Sequence, residues 1–124
     1  MQPGMSAGVL GKKGSISVDT NWGSNSAATS TITSATRTMS APPGSTLLLD
    51  ITATDGAVTA QYSKNGGTFT TFTDGTTLAI AHADTLAFRV TGANSLGNGY
   101  NLLVKDNATG LAIGNTGTVF FERT

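Results

Sequence analysis

Turn-forming pairs recur roughly every ten residues along most of this chain. Asp55-Gly56, Asn65-Gly66-Gly67, Asp74-Gly75 and Asn107-Ala108-Thr109-Gly110 punctuate it. Asn, Asp and Gly tolerate the positive φ angles that tight turns require. Between the turns, apolar and polar residues alternate. In residues 45–53, Leu47, Leu49 and Ile51 share one face, and Leu48, Asp50 and Thr52 share the other. Val58, Ala60 and Tyr62 alternate with Thr59, Gln61 and Ser63, and Leu86, Phe88 and Val90 repeat the pattern. A period of two places a strand half in a core. No window has the 3.6-residue period of a helix. The expected fold is therefore all-β: an antiparallel β-sandwich, Ig-like or jelly-roll-like, with about eight strands. Asp55-Gly56 reads as a two-residue hairpin.

Composition agrees. The chain has 124 residues, enough for one domain. Charged residues make up 11% of it, less than half the roughly 25% of an ordinary domain. Thr and Ser supply about a quarter, and the branched Cβ of Thr favours the pleated sheet. With no Cys there is no disulfide framework, thiolate nucleophile or Cys-ligated zinc. A net charge of zero argues against nucleic-acid binding, which needs a basic footprint. No apolar run approaches the roughly 20 residues that span a bilayer. The first residues, MQPGMSAGVLGKKG, lack a basic start and an apolar core, so no signal peptide is expected.

The chain divides into two unlike parts. Residues 1–30 are rich in Gly, Ser, Asn and Ala and read as an extended N-terminal arm with one short strand around Ile16 and Val18. Residues 31–124 read as the sandwich. Its expected core is Leu47, Leu49, Ile51, Val58, Leu78, Ile80, Leu86, Phe88, Val90, Leu102, Val104, Val119 and Phe121.

Catalytic patterns are near misses. Ala93-Asn94-Ser95-Leu96-Gly97 lacks the first Gly of a nucleophile elbow. Gly97-Asn98-Gly99 begins a dinucleotide fingerprint, but Leu102 stands where the third Gly belongs. His82 is the one histidine and reads as a loop residue beside Asp84. The acids do not form a calcium loop. Asn107-Ala108-Thr109 matches a glycosylation sequon but reads as a β-turn. No catalytic residue, metal ligand or cofactor is therefore assigned, and the chain is expected not to be an enzyme.

Binding residues are the alternative. The arm offers Leu10, Lys12, Lys13, Ile16 and Trp22 to a partner. Trp22 stands alone among small polar residues, as an interface anchor or as an exposed platform for a sugar. Tyr62 and Tyr100 are the other candidates for stacking a glycan, although both lie in phase with core positions. The outward strand faces carry Thr, Ser, Gln and Asn rather than Lys and Glu. Such faces repel little and lose little side-chain entropy when covered, which suits self-association or packing into a larger assembly.

Three stretches carry a family resemblance. Gly8-Val9-Leu10-Gly11-Lys12-Lys13, followed by Trp22, resembles a short N-terminal stretch of tailed-phage structural proteins. Tyr62-Ser63-Lys64-Asn65-Gly66-Gly67-Thr68-Phe69 is similar to a hairpin of β-sandwich domains in phage virion and adhesin proteins. Ala83-Asp84-Thr85-Leu86-Ala87-Phe88-Arg89-Val90-Thr91 looks like the strand that follows it, with Ala83 where Gly is usual. The likeness covers residues 8–13 and 42–124. It implies a virion structural protein, assembled in the host cytoplasm and so needing neither export signal nor disulfide. The first expectation is a capsid decoration protein whose arm clamps the major capsid protein. The sandwich would then sit outside as a homo-oligomer, a trimer to begin with. The alternatives are a tail-fibre or tail-tip component that binds host glycans, and a stand-alone carbohydrate-binding module. Removing residues 1–22 is expected to abolish particle binding and leave the sandwich folded.

Overall fold

Thr-rich alternating segments cannot bury a helical stripe, but each can bury one face of a strand. In the computed structural model, which describes residues 15–23, 30–93 and 96–121, they do so as ten strands and no helix. These are β1 (Ser17–Val18), β2 (Thr31–Thr33), β3 (Arg37–Ser40), β4 (Ser45–Thr54), β5 (Thr59–Lys64), β6 (Thr70–Phe72), β7 (Thr76–Ile80), β8 (Thr85–Thr91), β9 (Gly99–Asp106) and β10 (Ala112–Phe120).

All pairings are antiparallel and build two sheets packed face to face, a β-sandwich. The first has the order β10-β9-β4-β7. The second has the order β1-β3-β8-β5-β6, with β2 also paired to β8. β2 and β3 run along the same edge of β8, with Thr33 opposite Arg89 and Arg37 opposite Leu86. Three residues intervene between Thr33 and Arg37 and two between Leu86 and Arg89, so the chain bulges there. Ser34 fills the break: its N–H donates to the Phe88 carbonyl at 2.8 Å, and its hydroxyl accepts the Phe88 N–H at 2.9 Å.

The core lies between the sheets. Leu47 and Leu49 of β4, Leu86, Phe88 and Val90 of β8, and Leu102 and Val104 of β9 are almost wholly excluded from solvent. Of the expected core, Ile51 and Val58 are only half-buried, because β7 stops opposite Leu49 and leaves that rim open. The core also takes in Ile16, Trp22, Met39 and Phe72, which lie outside the expected set, and Tyr100, whose phase with core positions already turns it inward.

Two readings are corrected. Asp55-Gly56 is not a hairpin: β4 and β5 belong to different sheets, and this pair turns the corner between them at φ 51° and 132°. Alternation specifies a strand's faces but not its neighbour. The hairpins are β5–β6, with Ala60 opposite Phe72, and β9–β10.

The second correction concerns the arm. Residues 15–23 belong to the sandwich: Ser17 and Val18 pair with Ser40 and Met39. The Trp22 indole is 1% exposed, stacks edge-on to Phe88 at 5.3 Å, and donates its Nε1 proton to the Leu86 carbonyl at 2.8 Å. Gly114 makes the room, since a Cβ there would come within 2.7 Å of the indole. Asn21 and Trp22 then lace the rim. The Trp22 N–H donates to the Asn115 carbonyl, the Asn115 N–H to Asn21 Oδ1, and the Ala35 N–H to the Trp22 carbonyl. Residues 1–14 and 24–29 lie outside the described set.

Candidate interaction surface

The proposed binding residues fall into three groups. Leu10, Lys12 and Lys13 lie outside the described residues. Ile16 and Trp22 are core residues of their own sandwich, so neither is free to insert into a partner. Tyr100 is 2% exposed and tilts against Phe121 at 5.7 Å. Tyr62 is half-buried beside Phe72. Stacking a sugar needs an open ring face, so Trp22 and Tyr100 cannot serve as glycan platforms in this fold, and Tyr62 is half-buried.

Burial explains one titration. The Tyr100 hydroxyl is pushed up to about 12, because its phenolate would lose water in the core. Asp84 moves the other way. It is held below the ordinary 3.8, first by the Asn65 side-chain amide and then by the Ala81 N–H, with a smaller contribution from Lys64. Asn65 Nδ2 donates to Asp84 Oδ1 at 2.9 Å, and Asn65 Oδ1 accepts the Thr85 N–H at 2.9 Å. Asp84 therefore ties the β5–β6 loop to the β7–β8 turn, a structural role beside the exposed His82. Asn107, Ala108 and Thr109 form the expected turn. Among the described residues, no three His, Asp or Glu side chains gather as a metal site would require.

Asn98 stands in the Gly97-Asn98-Gly99 stretch, yet it is fully buried and locks one end of the sandwich. Its Oδ1 accepts the Ala93 N–H at 2.7 Å, and its Nδ2 donates to the carbonyls of Thr54 and Gly56. Its own carbonyl accepts the Phe121 N–H. One side chain thus joins the β4–β5 corner to the β8–β9 loop, which a sequence pattern does not announce.

The outward faces remain. On the first sheet, Leu48 lies opposite Lys105 and Asp50 opposite Leu103. Lys105 and Asp50 form an ion pair at 2.7 Å, the only one among the described residues. On the second sheet, Thr31, Thr91 and Thr59 form one row across β2, β8 and β5, and Thr33, Arg89, Gln61 and Thr71 form the next, extending to β6. Arg89 stands there among hydroxyl and amide side chains. The alternation of residues 86–90 already places it outward.

No protein-family model, no curated protein and no solved structure matches the chain.

Proposed function

We propose that the chain is a non-enzymatic structural protein of a tailed-phage virion, a decoration protein that binds the assembled capsid lattice. The observation that carries this reading is how residues 15–23 are fastened. Ile16 and Trp22 are set in the core and β1 is laced into the rim, so a pull on the residues before Ser15 would be borne by the core rather than by a loose tail. A clamp on neighbouring capsid subunits needs such an anchorage. Binding only the assembled lattice would stabilise it by mass action.

The anchorage also relocates the clamp. Removing residues 1–22 would take Ile16 and Trp22 out of the core, so the informative truncation removes residues 1–14. Gold-labelled antibody should decorate the heads of particles by electron microscopy. Particles stripped of the protein should rebind the full chain but not the truncated one, with both folded. Rebinding by the truncated chain refutes the clamp. Label confined to the tail refutes decoration and favours the tail-fibre reading.

A further inference from the structure

Arg89 projects from the outward face of β8, between Thr33 on β2 and Gln61 on β5. Its guanidinium lies over the Phe69 ring at 4.2 Å. Its Nε donates to Gln61 Oε1 at 2.9 Å, and Gln61 Nε2 in turn donates to Thr71 Oγ1 at 3.3 Å. The loop that presents Phe69 is held in its turn, because Ser63 Oγ donates to the Gly67 carbonyl at 2.7 Å. The long side chain is thus fixed in direction by a ring beneath it and an amide beside it.

The end of the fork is unpaired among the described residues. Among the described residues, no carboxylate lies within ion-pair distance of Arg89, and neither terminal nitrogen has a hydrogen-bond acceptor. An arginine whose rotamer freedom is already spent has little further entropy to lose on binding. Its two terminal nitrogens match the two oxygens of a carboxylate.

The surroundings choose the bearer of that carboxylate. A protein partner calls for an apolar centre ringed by polar groups. Here the guanidinium already covers the Phe69 ring, and the neighbours in the two rows, Thr33, Thr59, Gln61, Thr71 and Thr91, are all hydroxyls or amides. Such a surface exchanges hydrogen bonds with another hydroxylated surface. We propose that the outward face of the second sheet binds an acidic saccharide, with Arg89 taking the sugar carboxylate and the Thr and Gln side chains taking its hydroxyls. The row from Thr33 to Thr71 crosses four strands, about 14 Å at the usual strand spacing, long enough for a short oligosaccharide. This site is independent of the N-terminal clamp and of where in a particle the chain sits.

The test is an NMR titration of the full-length chain with glucuronate, with glucose and acetate as partial ligands. Glucuronate is expected to shift the Arg89 Nε signal and the amides of Thr33, Gln61 and Thr71. It should bind at least about tenfold more tightly than acetate or glucose. Arg89→Gln should abolish the shifts, and Arg89→Lys, which keeps the charge but loses the fork, should weaken binding about tenfold or more. Gln61→Ala leaves the charge and frees the fork, and it should weaken binding severalfold even if Arg89→Gln fails to fold. Acetate binding as well as glucuronate, or no shift at about 50 mM sugar, overturns the proposal. So does a glutamate-rich peptide binding more tightly than oligogalacturonate.

Discussion

Replacing Trp22 with Ala tests whether the start of the described chain is arm or core. A buried aromatic removes about 150–250 Å² from water, worth roughly 4–6 kcal/mol at about 25 cal/mol per Å². Measured Trp→Ala losses in cores run about 3–5 kcal/mol. The substitution also removes the hydrogen bond from the indole to the Leu86 carbonyl at 2.8 Å, worth about 1 kcal/mol. Part of that overlaps with the cavity term, so the expected loss is about 4–6 kcal/mol. Against the usual total of about 5–15 kcal/mol, that brings the fold near its limit. Trp22 is the only tryptophan, so unfolding should be followed by far-UV circular dichroism in urea. With a slope of about 2 kcal/mol per molar, the midpoint should fall by roughly 2–3 M. Trp22→Phe keeps a ring against Phe88 and loses the proton, and should cost only about 1–2 kcal/mol. A loss under about 1 kcal/mol for Trp22→Ala would refute the core assignment, because no fully buried indole is that cheap to remove.

Other perturbations probe other contacts. Asn98→Asp puts a charge against the Thr54 and Gly56 carbonyls in a buried site, and should destabilise by at least about 3 kcal/mol in the same urea assay. Ala83 sits at φ 70°, a left-handed conformation that suits Gly. Ala83→Gly should therefore stabilise by about 0.5 kcal/mol, the strain relieved being partly offset by greater freedom of the unfolded chain. The pH limbs of stability follow from two side chains. Asp84 titrates lower when folded, so its contribution is present above pH 3.8 and lost as pH falls through its folded value; Asp84→Asn should flatten that acid limb in melts taken below pH 4. Tyr100 titrates higher when folded, so its contribution is present below pH 10 and lost as pH rises toward 12; Tyr100→Phe should remove an alkaline loss of about 2 kcal/mol.

The strands were legible because alternation is local: whether Leu47, Leu49, Leu86 or Phe88 turns inward depends on period, and period is written in the sequence. The same holds for Arg89, whose outward direction follows from its neighbours. Pairing partners were not legible. Asp55-Gly56 has the composition of a hairpin, yet it crosses between sheets, because a turn's residues report its φ angles and not which sheet the next strand joins. Trp22 is the sharpest case. Flanked by Asn21 and Gly23, with no apolar alternation around it, it reads locally as solvent-facing. Its place is fixed by Gly114, Phe88 and the Leu86 carbonyl, the nearest of them 64 residues away. The fork of Arg89 is likewise made by Phe69 and Gln61, which the hairpin register brings to it. The sequence by itself determined the fold class and the face of each strand, since both depend on spacing within a few residues. Only the tertiary structure decided that residues 15–23 join the sandwich and how Trp22, Asn98 and Arg89 are held, since those depend on groups that meet only when the two sheets close.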